Sequence, residues 1–342
     1  GGEKYPWRSM LKPSMPLCHP PGAAADDSAT PRAGGLPRAS WMPIIPVMSR
    51  EAMRNTALVL ELLAVGPLAG GAVTFLRASD GGLAVTPLLN NSPVLGLVVG
   101  VFVILAAAAV GMIDTRYFGP RSGIVGAGIV FAWASLYSGR VDDLLRTTAP
   151  SQVTIMLAIE GVLAAVVMVL LTHRLTLVRW AESPPDNSTA SRRSMVPRGL
   201  FTPGALACVA AAAVAGGFMA WLVTFHAAKG QAVFGASAAG IAAGALAAIV
   251  SANTTAGRKD PPVDPVLTAM LGMGVLAMVS PVTISMLHSD PLASIRTGSL
   301  FRLGLLNSFD WMAGAMIGIP IGLGWAGAHT HSPARQAPSS AV

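Results

Sequence analysis

Three acidic residues lie within long apolar runs of this 342-residue chain: Glu61, Glu160 and Asp310. An acid near the centre of a bilayer costs roughly 3 kcal/mol to insert, and acids kept there commonly mark ion or substrate pathways. Such a carboxyl group can carry a proton, bind a cation or join two helices by a hydrogen bond. These three acids are therefore the candidates for a proton, cation or substrate pathway.

Two of the acids, Glu160 and Asp310, have positions that favour a role inside the bundle. Glu160 is close to the centre of its apolar run, too far from either end for its side chain to extend into water. Asp310 is followed by glycine at each of the next three four-residue steps, so the acid and the glycines share one helical face. We expect both acids to face the interior of a helix bundle and to approach a shared polar cavity. The alternative for Glu160 is a purely structural hydrogen bond between two helices. The alternative for Asp310 is plain helix packing, with the acid near the outer headgroups.

Glu61 has a simpler explanation, because it lies two turns after Arg54. Its side chain can extend toward the membrane surface and pair with that arginine. This arrangement is the favoured interpretation of Glu61, and a role in a pathway is the alternative.

Glycines at four-residue spacing predict faces on which helices pack closely in lipid. Gly314, Gly318 and Gly322 form one such face in the last apolar run, and Gly240 and Gly244 form another in an alanine-rich run. The same helices offer a surface for a homo- or hetero-oligomer.

Composition indicates that lipid surrounds these residues, because 53% of the chain is hydrophobic and only 11% is charged. Soluble domains carry about 25% charged residues. A helix needs about 20 apolar residues to cross a bilayer. Eight runs approach that length: 57–76, 93–113, 123–139, 153–171, 204–225, 232–252, 266–287 and 305–326. The predicted fold is an all-α, polytopic transmembrane helix bundle of about eight spans, or seven if the alanine-rich sixth run does not insert.

The polar segments divide the chain into five parts. Residues 1–47 are rich in proline and are predicted to form a disordered tail, with Met48 resembling an ordinary start. Residues 48–171 hold helices 1–4, residues 172–202 form a linker rich in Arg, Pro and Ser, residues 203–327 hold helices 5–8, and residues 328–342 form a second disordered tail. Glu160 and Asp310 are 150 residues apart, which suggests two tandem four-helix halves.

Most of the 23 lysines and arginines fall on one side of this topology, the side that also holds both termini. The positive-inside rule therefore predicts cytoplasmic termini and a linker on the cytoplasmic side of a cell membrane. Anionic lipid headgroups at the cytoplasmic face are the expected partners of these basic residues. The basic residues are scattered and form no single stripe, so nucleic acid is not an expected partner.

A short turn between the second and third runs contains acidic, basic and glycine residues: Asp114, Arg116, Gly119 and Arg121. This cytoplasmic turn resembles the one that joins helices two and three in major facilitator transporters, where acidic and basic groups latch helix ends together. Here an extra residue separates the acid from the glycine, and eight spans differ from the family's twelve. A positively charged turn ended by glycine and proline is the alternative.

The spacing typical of catalytic or metal sites is missing from the sequence. Asp142 and Asp143 lack further acids nearby, and His226, His288 and Asp290 are too far apart in sequence to indicate a metal site. We predict no catalytic residue, metal or cofactor. A small-solute or ion permease coupled to protons through its intramembrane carboxylates is the leading hypothesis, with a membrane scaffold or regulatory subunit and a membrane-embedded enzyme as alternatives.

Overall fold

The computed structural model describes residues 49–78, 80–82, 84–178, 202–226, 228–255 and 263–330. The elements in these ranges are α1 (Arg50–Leu60), a π-helical segment (Glu61–Val65), α2 (Gly66–Val73), α3 (Pro93–Phe118), α4 (Pro120–Tyr137), α5 (Val141–Thr147), α6 (Pro150–Leu177), α7 (Pro203–Val223), α8 (Lys229–Thr255), α9 (Pro265–Leu287), α10 (Pro291–Thr297), a 3-10 turn (Arg302–Leu305) and α11 (Ser308–Thr330). The predicted tail 1–47, and most of the linker 172–202 and of the tail 328–342, lie outside the described residues.

Seven helical stretches in the described part of the chain are long and apolar enough to cross a membrane. They are Arg50–Val73, Pro93–Phe118, Pro120–Thr147, Pro150–Leu177, Pro203–Val223, Lys229–Thr254 and Pro265–Leu287. The prediction of an all-α, polytopic transmembrane bundle is therefore confirmed. The alanine-rich sixth run, which the sequence left in doubt, is one of the seven.

The remaining long helix, α11, occupies the middle of the bundle, where it packs against α4, α6, α8 and α9. All of its residues from Ser308 to Met316 are buried. Asp310 and Pro320 interrupt its apolar residues. Because other helices cover α11, this helix does not need an apolar surface that faces lipid.

The glycines predicted as packing faces all lie at the contact between α8 and α11. A Cβ atom on Gly314, Gly318 or Gly322 would collide with the α8 backbone, and one on Gly240 or Gly244 would collide with the α11 backbone. The two helices therefore approach closely only because these positions lack side chains. These five glycines are engaged within the chain, so an oligomer would need another surface.

The two halves of the chain do not repeat this packing. α8 contacts α11 along much of its length, whereas α3 and α6, their counterparts in the first half, touch only sparingly. A cavity lies between α3 and α6 instead, and it reaches Glu160.

Helix ends define two faces of the bundle. We call the end at which α1 begins and α3 meets α4 the N-terminal face, and the other end the opposite face. Gly119 turns the chain directly from α3 into α4 with a φ of 99°, a conformation that favours glycine. Segment 74–92 lies between α2 and α3, at the opposite face. Its described residues are not helical, and part of its backbone packs against the bundle around Thr86.

Candidate functional site

Glu160 is buried near the middle of α6, with 4% of its surface exposed. Its Oε1 accepts hydrogen bonds from the Thr86 hydroxyl at 2.5 Å and from the Leu88 backbone N–H at 2.7 Å. Its Oε2 accepts one from the Ser308 hydroxyl at 3.0 Å. The carboxyl group therefore joins α6 to the segment 74–92 and to the first turn of α11.

The bond to Leu88 has a physical reason in the local backbone. Segment 74–92 is not helical, so its N–H groups lack the partners that a helix provides. Inside a membrane protein an unpaired backbone group costs several kcal/mol, and Glu160 supplies an acceptor for one of them. No sequence pattern pointed to Thr86 or Leu88, because their polar partner is 72 or more residues away.

Asp310 is fully buried in the first turn of α11. Its carboxylate accepts hydrogen bonds from the Ser135 hydroxyl of α4 and from the Asn307 backbone N–H at 2.8 Å. In return, Asn307 Oδ1 accepts from the Asp310 backbone N–H at 3.0 Å, and its side-chain amide donates to Ser138 Oγ at 2.8 Å. Asp310 and Asn307 thus satisfy the free N–H groups at the start of α11 and fasten that end to α4.

Lys229 completes this network as the basic partner of Asp310. Its Nζ lies 3.3 Å from Asp310 Oδ2, and only 12% of the lysine side chain is exposed. The sixth apolar run begins at residue 232, so Lys229 was predicted to lie in the loop before it. In the structure α8 starts at Lys229 itself, which brings the ammonium group to the buried acid.

A cavity of about 230 Å³ ends at Glu160. Apart from Glu160 and Ser308, the side chains that line it are apolar, and they come from α3, α6, α11 and segment 74–92. Leu97, Val101 and Leu163 line the cavity and are also exposed on the outer surface of the bundle. The cavity is therefore an apolar space beside the outer surface of the bundle, with one acidic residue, Glu160, in its lining.

Glu160 and Asp310 differ in whether they line the cavity. Both face the bundle interior and both contact the first turn of α11, Glu160 through Ser308 and Asp310 as part of that turn. Only Glu160 lines the cavity, and the cavity walls are mainly apolar. The structure therefore corrects the expectation of one shared polar cavity.

Glu61 does not extend toward the membrane surface. It is 7% exposed, whereas Arg54 is exposed, and no ion pair joins these two described residues. The interpretation of Glu61 as a snorkelling partner of Arg54 is wrong. Glu61, the first residue of the π-helical segment, instead points toward Gly126 of α4, where it approaches Asp114 of α3.

The predicted turn between the second and third runs is also different. α3 continues to Phe118, so Asp114 and Arg116 belong to a helix and only Gly119 forms the turn before Arg121 in α4. Asp114 is 1% exposed and is not an open latch. The predicted span ended before Asp114 because charge was used as its boundary, but helices continue until a residue such as Gly119 stops them.

Within the described ranges, no three or more His, Cys, Asp or Glu side chains are grouped closely enough to hold a metal ion. His288, one of the residues considered for a metal, contacts Ser294 Oγ through Nδ1 at 2.9 Å and accepts from the Phe301 N–H through Nε2 at 3.0 Å. Asp290 accepts from the Ala293 N–H at the start of α10. These side chains stabilise the loops at the opposite face.

Neither a protein family model, nor a curated protein, nor a solved structure matches this chain. The chemistry of the site is therefore inferred from its own residues.

Proposed function

We propose that this integral membrane protein is a permease for small amphiphilic cations, which bind in the cavity that ends at Glu160. The observation that supports this proposal is the combination of apolar walls with a single acidic residue in the lining of the cavity. A protonated or quaternary amine with an apolar substituent has the complementary shape and charge.

Electrostatics favours a cation over a neutral or anionic solute. A buried carboxylate without a counter-charge is unfavourable in a medium of low dielectric constant, and a cation bound beside it relieves that cost. Glu160 is the acid that borders the cavity, while Lys229 is already paired with Asp310. The apolar walls contribute about 25 cal/mol for each Å² of apolar ligand surface that they remove from water.

The position of the cavity beside lipid suits this class of solute. Amphiphilic cations concentrate at the membrane, and the exposed side chains of Leu97, Val101 and Leu163 mark the side from which such a molecule would enter. A small polar solute would gain little from these walls.

Coupling to protons follows from the same carboxyl group. Glu160 in its protonated form is neutral and has no charge to offer a cation, so proton and cation compete for one group. An exchanger that carries a cation one way and a proton the other needs such competition. Competition between a proton and a cation for Glu160 supports the hypothesis of proton coupling through an intramembrane carboxylate.

Transport in reconstituted vesicles tests the proposal. Purified protein is placed in vesicles with an imposed pH gradient, and uptake of radioactive benzyltrimethylammonium is measured. This permanent cation does not cross lipid as a neutral base. We expect Glu160→Gln to reduce uptake at least tenfold and to remove its dependence on the pH gradient, while Glu51→Gln, the same change at an exposed site, leaves uptake unchanged.

A second pair of variants tests the cavity rather than the charge. Gly100 lines the cavity, and a Cβ atom there would be 3.6 Å from Pro87, so a leucine can extend into the space without a backbone clash. Gly71 has open space around it, so Gly71→Leu is the matched control. We expect Gly100→Leu to reduce uptake and Gly71→Leu to leave it unchanged. Wild-type uptake equal to that of protein-free vesicles, or full uptake by folded Glu160→Gln, would show that the proposal is wrong.

A further inference from the structure

Two more acids, Glu61 and Asp114, lie together in the half of the bundle nearer the N-terminal face. Both are more than nine-tenths buried. When both acids are ionised, three of their carboxyl oxygens, Glu61 Oε2 and both Asp114 oxygens, are inaccessible and have no hydrogen-bond donor among the described residues. Buried polar atoms almost always have a partner, so these three need an explanation.

Gly126 of α4 shows how close the two acids are. A Cβ atom on this glycine would lie 2.7 Å from Asp114 Oδ2 and 2.9 Å from Glu61 Oε2. The two oxygens can therefore be no farther apart than the sum of these two distances. The missing side chain of Gly126 leaves the space into which both acids point.

A third buried oxygen belongs to Thr115, the residue that follows Asp114 in α3. Its hydroxyl is fully buried and has no partner among the described residues. A threonine within a helix usually donates to the carbonyl four residues earlier, but Thr115 does not. Its Oγ1 lies against Gly123, one turn before Gly126 on the same face of α4.

The backbone at Glu61 also departs from the ordinary helix. The π-helical segment begins at this residue, and such segments are frequent at functional sites. None of the residues of α1 is buried, and Glu61 is the buried residue of the π-helical segment, between the exposed Leu60 and Leu62. An apolar residue is expected to face the interior at this position, but here the buried residue is an acid.

Basic side chains do not neutralise the pair. Arg54 of α1, Arg116 of α3 and Arg121 of α4 are exposed, and none of the ion pairs formed by the described residues includes Glu61 or Asp114. Two adjacent acids without a basic partner require a cation or protons in a medium of low dielectric constant.

We infer that Glu61, Asp114 and Thr115 form a binding site for one dehydrated sodium ion. Carboxylate and hydroxyl oxygens are the ligands that hard cations prefer. Ca²⁺ takes six to eight oxygen ligands and Mg²⁺ keeps several waters, whereas two carboxyl groups and one hydroxyl offer fewer oxygens in a closely packed place. A monovalent ion together with one proton makes the pair of acids neutral. The site is separate from the cavity at Glu160 and does not depend on the proposed transport.

Thermal unfolding of the purified full-length protein in detergent tests the inference. Unfolding is followed in sodium, potassium and choline chloride at equal ionic strength. Because an ion that binds only the folded state stabilises it, we expect sodium to raise the melting temperature by about 5 °C relative to choline. Glu61→Gln and Asp114→Asn should lose this rise, and the exposed Glu51→Gln should keep it. Equilibrium dialysis with radioactive sodium should give one ion per chain.

Gly126→Ala tests the space without changing any charge, and Gly71→Ala, at a position with nothing within 4 Å, is its control. We expect the first variant to lose the response to sodium and the second to retain it. No sodium bound by the wild-type protein in dialysis would overturn the inference even if the acid variants did not fold. The same conclusion follows if choline stabilises as well as sodium, if both acid variants keep the response, or if only Ca²⁺ or Mg²⁺ acts through the two acids.

Discussion

The hydroxyl of Ser308, in the first turn of α11, donates a hydrogen bond to Glu160 Oε2, 3.0 Å away near the middle of α6. Two residues later, Asp310 forms an ion pair with Lys229 of α8 and accepts from Ser135 of α4. A single helical turn at the start of α11 thus contacts three other helices: α6, through the acid of the cavity, α8 and α4. Any movement of α11 would change the contacts of both acids together.

The bond between Ser308 and Glu160 should contribute measurably to stability. Removal of one hydrogen bond to a buried group lowers the free energy of unfolding by about 1 to 3 kcal/mol. We expect a loss in that range for Ser308→Ala, measured by denaturant unfolding in detergent. Ser285→Ala is the control, because Ser285 is exposed and its hydroxyl bonds only within its own helix. Equal losses for both variants would contradict a specific role for Ser308.

The ion pair of Lys229 and Asp310 should show strong coupling. Lys229→Met leaves a buried negative charge at Asp310, and breaking a buried pair costs about 3 kcal/mol or more. The double variant Lys229→Met/Asp310→Asn removes the uncompensated charge, so part of that loss should be regained. Thermal unfolding of the wild type, the two single variants and the double variant gives the coupling energy between the two residues. Arg54→Met, at an exposed arginine, is the control and should have little effect on stability. Additive losses in the double variant would disagree with this expectation.

Close packing of α8 and α11 should make Gly318 intolerant of any side chain. A Cβ atom there would collide with the backbone at Ser237 and Gly240, so we expect Gly318→Ala to lower the free energy of unfolding by about 1 to 3 kcal/mol. Gly324, six residues later on the same helix, has nothing within 4 Å. Gly324→Ala should be neutral or stabilise by up to about 1 kcal/mol, since alanine favours helix. The prediction fails if the two variants unfold alike.

Both termini should lie in the cytoplasm, as the distribution of basic residues predicts. In protein with Cys18 and Cys208 replaced by serine, single cysteines at Glu51 and Arg335 should resist a membrane-impermeant maleimide in intact cells. A cysteine at Thr297, an exposed residue of α10, should react. Labelling of position 335 from outside would contradict an even number of spans and would exclude α11 as the eighth crossing.

The helix-bundle architecture could be predicted from periodicity and composition, because lipid requires each residue that it contacts to be apolar, whatever the rest of the fold is. Each helix that faces lipid must be apolar over about 20 residues, and this requirement is visible in the sequence without any partner. The same reasoning identified the glycine faces, since spacing along one helix is a local property. The lengths of α3 and α6 were underestimated, since these helices continue past their apolar runs to Phe118 and Leu177. A helix can extend beyond the membrane core, where its residues need not be apolar.

The sequence by itself also showed that Glu61, Glu160 and Asp310 were unusual, since an acid inside an apolar run needs no structural context to be recognised. Only the tertiary structure decided their partners. Lys229 is 81 residues from Asp310, Thr86 is 74 from Glu160, and Asp114 is on a different helix from Glu61. Pairing across helices depends on which faces meet in the folded bundle, and no spacing along the chain records it. Packing therefore made one acid an end of an apolar cavity, one a member of an ion pair, and one a neighbour of a second acid.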